Sequence, residues 1–585
     1  MYQPIPDYPR PQLQRSSWEN LNGPWNFAFD DDGRGLQENW ESGFVPQHVI
    51  QVPFTYETKL SGIKDETEHK QVWYSRKIVA RPHNGRVLLH FEGSDWLTDV
   101  YVNGRHTGSH RGGYARFSFD ITDFLRCGEN DLVVRVSDSL SRSQPRGKQR
   151  WRRESFACWY VPTTGIWKTV WMEYVPEYRV DALKLTPRME SAEIHIEAQI
   201  TGGRAGDMCW AEVSYEGTVV GCAAAYVKEG LAALSVNVAS QSVSVDDFLG
   251  WAPEHPHLYD LDIRLIRENQ ILDQVDSYFG MRDVSIRGNK LLLNDTVYYQ
   301  RLVLDQGYWK DSGLTPPSEE AILEDIRKIK AMGFNGVRKH QKIEDERFLY
   351  WCDRLGLLVW SEFPATYVYT DDALEWMTGE WMEILRQNYS HSCITTWVPF
   401  NESWGIPNIR KDKMQQSFSQ AIYYLTKAFD PMRPVICNDG WEHTVSDIIT
   451  LHDYVEQGAE LYSHYTQNQD AFFKGEIPYM CGGGRYLFAD GFRYREQPVM
   501  FSEFGGVAMD SDADGWGYGA KAADAESFIK RLDGLFTAIK KLDYCCGFCY
   551  TQVTDVQQEQ NGLMDMDRNF KVDPGILREI ILRRT

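Results

Sequence analysis

From about residue 286 to its end the chain repeats one unit, a short apolar run followed by an amphipathic segment, and few architectures accept that rhythm. The run at 297–304 leads into 318–333, where Ser318 offers an N-cap, apolar residues recur with a 3.6-residue period and Gly333 closes the helix. A second run at 335–340 precedes a helix over 348–355, and a third lies at 357–363. Further runs at 394–401, 434–438, 448–452, 498–503 and 545–551 bring the count to eight. Eight strands alternating with helices predict a C-terminal (β/α)8 TIM barrel over 286–585.

The preceding part of the chain reads differently. Residues 1–175 hold alternating strands at 86–93, 99–104 and 130–136, with glycine and asparagine turns, and the Asn103-Gly104 step is a hairpin signal. This predicts an N-terminal β-sandwich of the jelly-roll type. Over 176–285 strands recur at 195–200, 210–215 and 259–266 with no helix between them, which predicts a smaller immunoglobulin-like β-sandwich. The expected organisation is therefore multidomain.

With 62 basic against 83 acidic residues the net charge is −21, so neither nucleic acid nor an anionic membrane is expected as a partner. No stretch reaches the ~18 apolar residues of a membrane span. The opening Met1-Tyr-Gln-Pro-Ile-Pro-Asp7 lacks a charged and an apolar leader region, and the expectation is a soluble, cytoplasmic protein. The 11 cysteines form no paired Cys-x-x-Cys arrangement, and Cys545, Cys546 and Cys549 sit in an apolar run where thiols act as small hydrophobes. No metal and no cofactor are expected.

Two of the barrel runs end in a carboxylate. Trp397-Val-Pro-Phe-Asn401-Glu402 closes the fourth, and Pro498-Val-Met-Phe-Ser-Glu503 closes the seventh. Barrel enzymes keep their chemistry at the C-terminal strand ends, and these two strands face each other across the mouth. A retaining glycosidase needs two carboxyl groups about 5 to 5.5 Å apart, one acid and one nucleophile. Glu402 is the expected acid/base and Glu503 the expected nucleophile. Asn401 can hold a substrate hydroxyl, and Arg338 on the second run can keep the nucleophile ionised. Beside Trp397, Phe400 and Trp404, Glu402 is expected to have the raised pKa that an acid needs.

Several separated segments share one resemblance. Val100-Tyr-Val-Asn-Gly-Arg-His-Thr-Gly, Gly112-Gly-Tyr and Phe119-Asp-Ile-Thr lie in the first sandwich, with Gly165-Ile-Trp at its end. Trp251-Ala-Pro-Glu-His-Pro-His-Leu-Tyr follows in the second; Asn335-Gly-Val-Arg338, Cys352-Asp-Arg-Leu-Gly-Leu, Asn401-Glu402-Ser and Ser502-Glu503-Phe-Gly lie in the barrel. In this order they resemble glycoside hydrolase family 2, the β-galactosidase and β-glucuronidase family, along nearly the whole chain. The resemblance implies net retention, a covalent glycosyl-enzyme intermediate and removal of one terminal β-sugar from an oligosaccharide or glycoside. A homo-oligomer stays open.

Departures from the family pattern concern the sugar. The first run reads Arg301-Leu-Val-Leu-Asp305-Gln306, with Gln where the family has His, and Lys339-His340-Gln341 replaces its Ser-His. The Asn-x-Lys element of β-glucuronidases is missing from Gln558-Glu-Gln-Asn561-Gly, which disfavours a glucuronidase. Tyr550 stands where many members carry a sugar-stacking Trp. A β-galactosidase-type activity is expected, with β-galactofuranosidase and α-L-arabinopyranosidase as alternatives. A carbohydrate-binding protein without catalysis is the alternative of another class.

Asp305, His340, Trp404, Trp441, Tyr454 and Tyr550 complete the expected substrate contacts, with Asn438, Asp439, His452 and Asp453 as further pocket candidates. Either Tyr454 or Tyr462 is expected beside the nucleophile. The basic run Arg142, Arg146, Lys148, Arg150, Arg152 and Arg153 is expected to be a solvated loop, or else one lent to a neighbouring barrel.

Overall fold

A computed structural model describes residues 8–81, 83–239, 248–481, 483–510 and 515–584. The opening heptapeptide read above for a leader pattern lies outside them. Among the described residues no helix is long and apolar enough to cross a membrane.

The first sandwich packs a four-stranded sheet, built around Arg86–Phe91 and Val170–Val175, on a six-stranded one built around Gln71–Val79 and Glu129–Ser137. Residues such as Val72, Tyr74, Leu89, Val134 and Met172 alternate inward and are fully buried between the two sheets. A three-stranded and a four-stranded antiparallel sheet follow over Arg179–Phe279, with their own apolar core.

The barrel strands are β1 (Gln300–Asp305), β2 (Gly336–Lys339), β3 (Leu358–Glu362), β4 (Ile394–Val398), β5 (Ile449–Asp453), β6 (Val499–Phe504) and β7 (Cys545–Tyr550). They form one parallel sheet in the order β4-β3-β2-β1-β7-β6-β5. The helices used below are α1 (Glu319–Ala331), α2 (Glu346–Leu355), α3 (Asp371–Asn388), α4 (Lys413–Phe429), α5 (Gly458–Gln467) and α6 (Ala525–Lys540). Ser318, Asp345, Thr370, Asp412 and Asp524 cap five of them by accepting a backbone N–H, as short polar side chains do at helix starts.

The expected fifth strand, 434–438, is not a full strand. It lies beside β4 through isolated bridges, with the Ile436 N–H donating to Trp397 O at 3.0 Å and Asp439 N–H to Phe400 O at 2.8 Å. Pro434 has no N–H to give, and the N–H groups of Val435 and Cys437 go to the side chains of Asp447 and Ser446 instead of to β5. The segment fills the gap in the sheet without pairing on both sides.

The basic run is not a solvated loop. Arg146, Lys148 and Arg150 are buried, whereas Arg142, Arg152 and Arg153 are exposed. The loop leaves the first sandwich and lies on this chain's own barrel, where Arg146 and Gly147 donate their N–H groups to Ala365 O at 3.0 and 3.1 Å. Gly147 has φ +58°, and a Cβ there would stand 2.3 Å from Gln341 O, so only glycine fits.

Candidate active site

The site is organised around Arg338, fully buried at the end of β2. Its Nε donates to Glu362 Oε2 at 2.6 Å, Nη1 to Glu503 Oε1 at 2.9 Å, and Nη2 lies 2.8 Å from Asn401 Oδ1 and 2.9 Å from Asp439 Oδ2. One guanidinium thus fixes groups from β3, β6, the end of β4 and the bridged segment. Burial alone would make it release its proton, but Asp439, Glu362 and Glu503 hold it firmly charged.

Glu402 and Ser403 follow β4 with φ values of +50° and +61°, in the left-handed region that costs side-chain-bearing residues energy. The turn is held by Glu402 N–H donating to Asp439 O at 2.9 Å and Ser403 N–H to Asn438 Oδ1 at 2.9 Å. It aims the Glu402 carboxylate over the barrel axis, where Oε1 lies 2.9 Å from His452 Nδ1. The same nitrogen is 3.5 Å from Glu503 Oε2, and an oxygen of each glutamate lies within 4.8 Å of the other. The Glu402 side chain is 22% exposed and that of Glu503 6%.

The environment of Glu402 corrects one expectation. Trp397 and Phe400 point away from it into the helix layer, Trp397 Nε1 donating to Asp430 at 2.8 Å and Phe400 packing on Phe418 of α4. Burial pushes the Glu402 carboxyl up, but the hydrogen bond and charge of His452, with Lys148 and Arg338 further off, outweigh it and leave it below its usual range. Among the carboxylates bonded to Arg338, Glu362 has the raised pKa, lifted to about 7 by burial despite that charge.

The other expected residues divide. Asn401 turns its Oδ1 to Arg338, while its buried Nδ2 has no partner among the described residues. His340 accepts from Arg338 Nη2 at 3.0 Å and is kept neutral by burial and by that charge. Trp441 sets its ring edge-to-face with His452 at 5.6 Å. Trp404 closes on Trp159 and Tyr367 at 5.4 and 5.2 Å. Tyr454 donates to Glu503 Oε2, which decides between it and Tyr462, 40% exposed on α5.

Two expected contacts are overturned. Asp305 is taken up by a separate buried network, accepting from Lys339 Nζ at 2.6 Å and Gly307 N–H at 2.7 Å, with Glu344 and Lys342 beyond. Tyr550 faces α6, stacked on Phe536 at 5.6 Å and close to Phe504, because its place on β7 points outward. Asp453 likewise turns to Tyr465 and the Cys481 N–H.

Four further residues, Glu362, Tyr518, Glu559 and Lys148, join the site without being among its expected contacts. Glu362 had the same legible signature as the acid pair, a lone charge ending an apolar run. Tyr518 lies parallel to Tyr454 at 3.4 Å. Glu559, after β7, accepts from Tyr160 and from Asn561, and burial raises its pKa. Lys148 is buried with Cys158, Tyr367, Glu559 and Glu402 around it; burial weakens its proton affinity and these neighbours more than restore it.

The sandwich loop is stitched to the barrel loops over the mouth. Trp516 Nε1 and Gln558 Nε2 donate to Ala157 O at 3.0 and 2.8 Å, and Ser155 Oγ to Gln557 at 2.8 Å. A cavity of about 770 Å³ beside this loop, lined by Tyr56, Glu66, Arg150 and Trp151, contains neither glutamate. Another buried trio, Asp353, His391 and Cys393, needs no ion, since Asp353 already accepts from Cys393 N–H, His391 and Tyr278.

Three family models match the chain: "Glycosyl hydrolases family 2, sugar binding domain" at 18–147, "Glycosyl hydrolases family 2" at 178–282 and "Glycosyl hydrolases family 2, TIM barrel domain" at 284–515. A β-galactosidase of Thermoanaerobacter pseudethanolicus is 29% identical over 398 residues, 66% of this chain and 50% of that protein. A β-glucuronidase of Chlorocebus aethiops is 22% identical over 557 residues, 85% of this chain and 79% of that protein. The chain spans about half the length of the first curated relatives it matches, 50% and 58%. The crystal structure of Ruminococcus gnavus β-glucuronidase superposes with a TM-score of 0.79 at 19% identity, covering 99% of both chains.

Proposed function

The chain belongs to glycoside hydrolase family 2, and on that footing we propose that it is a retaining exo-β-glycosidase working through a covalent glycosyl-enzyme intermediate. In this reading Glu503 attacks the anomeric carbon and Glu402 gives a proton to the departing oxygen, then takes one from the incoming water. The observation that carries it is the separation of the two carboxylates, an oxygen of each within 4.8 Å. Inverting pairs stand about 6.5 to 9.5 Å apart to admit a water. Arg338 Nη1 donates to Glu503 Oε1 and fixes that carboxylate, and the orphaned Asn401 Nδ2 is a donor awaiting a sugar hydroxyl. The closed mouth, with sandwich and barrel loops bonded over it, favours a terminal sugar over an internal one.

Glu503→Ala should abolish turnover of an aryl β-glycoside, with retention of configuration seen by NMR for the wild type. Appreciable hydrolysis by the variant would remove Glu503 from its role. Absence of turnover on every β-glycoside would favour a binding protein instead.

For the sugar, a β-galactoside is the first reading, with β-galactofuranoside and α-L-arabinopyranoside beside it. A second reading, a sugar carrying a carboxylate, is favoured by Lys148, a buried cation with Glu402 in its surroundings that forms no ion pair among the described residues. A panel of nitrophenyl galactopyranoside, galactofuranoside, arabinopyranoside, glucuronide and galacturonide separates these readings.

A further inference from the structure

His452 ends β5 between three carboxylates, and its side chain is fully buried. Its Nε2 lies 2.9 Å from Asp439 Oδ2 and its Nδ1 2.9 Å from Glu402 Oε1. A neutral imidazole can donate from one nitrogen only, and the lone pair on the other would then face a carboxylate oxygen at hydrogen-bond distance. With Nε2–H given to Asp439, the 2.9 Å contact between Nδ1 and Glu402 Oε1 therefore holds one proton, shared between the ring and Glu402.

The surroundings agree. Carboxyl oxygens of Glu402, Asp439 and Glu503 lie 2.9, 2.9 and 3.5 Å from the ring nitrogens, Arg338 is already bonded to Asp439 and Glu503, and burial disfavours the charged forms of His340 and His443. The Tyr479 hydroxyl contacts the His452 backbone, Tyr454 serves Glu503, and Lys148 lies beyond Glu402. Burial lowers the proton affinity of His452, but the charges of Glu503 and Asp439 and the bonds the ring donates to Asp439 and Glu402 lift its pKa to about 10.

Resting on the glycosidase reading, we propose that His452 stores the proton that Glu402 delivers, with Asp439 fixing the ring. Where the ring carries the shared proton, Glu402 Oε1 is the acceptor of its bond, and the proton that Glu402 delivers comes from Nδ1. In the first half-reaction Glu503 forms a bond to the anomeric carbon, and the glycosidic C–O electron pair goes to the departing oxygen. That oxygen takes a proton from Glu402 Oε1, which is replenished from His452 Nδ1. The ring is left neutral with its remaining proton on Nε2 toward Asp439. Forming the ester removes the charge of Glu503, one of the charges that held the proton on the ring, so nucleophilic attack itself loosens it. In the second half-reaction water attacks the anomeric carbon, the bond to Glu503 breaks, and the proton of the water returns through Glu402 to Nδ1. His452 and Asp439 are positioning residues in this scheme.

The experiment is the pH dependence of kcat/KM for aryl β-glycosides with poor leaving groups. The wild type should keep its activity to above pH 8, since the pair loses its single proton only there. In His452→Asn the basic limb should fall by two or more pH units toward the range of a lone carboxyl, with activity regained at acidic pH. A structural defect would lower the whole profile without moving the limb, and an unmoved limb overturns the proposal. Asp439→Asn should shift the limb the same way by less. If His452→Asn does not fold, the wild type still decides: a basic limb below pH 6 overturns the store. Independently, ¹⁵N NMR of the histidines at pH 7 should find one buried ring protonated on both nitrogens, and lost in the variant. A neutral ring there overturns the proposal without touching the glycosidase reading, which falls only if the wild type hydrolyses nothing.

Discussion

The Tyr454 hydroxyl donates to Glu503 Oε2 at 2.5 Å, while Arg338 Nη1 holds Oε1 of the same carboxylate at 2.9 Å. Both oxygens of the proposed nucleophile are therefore oriented before any sugar arrives. Burial, reinforced by the charge of Glu503, keeps the phenol protonated far into the alkaline range. Its ring is fixed in turn by the parallel face of Tyr518. Removing one preorganised donor at a reacting charge costs on the order of 10² to 10³ in rate. Tyr454→Phe should lose kcat by about that factor on an activated aryl glycoside, with thermal stability little changed. A change within twofold would mean that the bond has no part in the reaction.

Glu402 is tested by leaving group. Glu402→Ala should keep substantial glycosylation of a dinitrophenyl glycoside, which needs no proton, and lose most of it for an alkyl glycoside. Added azide should rescue the variant and yield a β-glycosyl azide. Equal losses on all substrates, with no rescue, would take the acid/base role away from Glu402.

How much of this site could be read in advance follows from how each residue announces itself. Glu402 and Glu503 were legible because each is a lone charge ending an apolar run. Glu362 carries the same mark in Trp360-Ser-Glu362-Phe, yet its partner Arg338 is set by the register between β2 and β3 and not by local sequence. Lys148 was hidden for another reason. In sequence it is one cation of a basic run, and its burial depends on a loop of one domain lying on the barrel of another. Tyr550 failed because a side chain on a strand faces inward or outward by parity, and its register points it at Phe536. The fifth barrel position is incomplete because the Val435 and Cys437 N–H groups, on the side of β5, are taken by the side chains of Asp447 and Ser446, which local periodicity does not reveal.

Lys148→Met separates the two readings of the sugar. Truncating one partner of a buried charged contact costs about 2 to 5 kcal/mol, so a substrate carboxylate bound by Lys148 should lose roughly 30- to 5000-fold in kcat/KM. A neutral galactoside should change by less than tenfold. Equal losses on a galactoside and on a uronide would assign Lys148 to the tuning of Glu402 alone.

Gly147→Ala probes how the loop bearing Lys148 is seated. A side chain at φ +58° is strained by roughly 1 to 3 kcal/mol, and here its Cβ also meets the Gln341 carbonyl at 2.3 Å. The variant should melt several degrees lower and lose activity beyond that of a surface Gly→Ala control. Unchanged melting and activity would show that the loop is free to shift.

Glu380 of α3 joins the first sandwich to the barrel, accepting from the Tyr114 and Ala115 N–H groups at 2.7 and 3.3 Å. Burial lifts its pKa to about 8, against the weaker lowering by those bonds, and Oε2 has no partner among the described residues. The sign follows from linkage. A carboxyl that holds its proton more tightly when folded than when unfolded, where its pKa is about 4.3, stabilises the protein fully below that value. The contribution is lost as pH rises toward and through 8. Glu380→Gln keeps an acceptor and removes the titration. Other groups titrate over the same span, so the quantity to read is the difference in melting temperature between wild type and variant. It should favour the wild type most at pH 5 and shrink or reverse by pH 8.5. A difference that grows with pH would mean that the carboxylate, not the acid, is the form this interface holds.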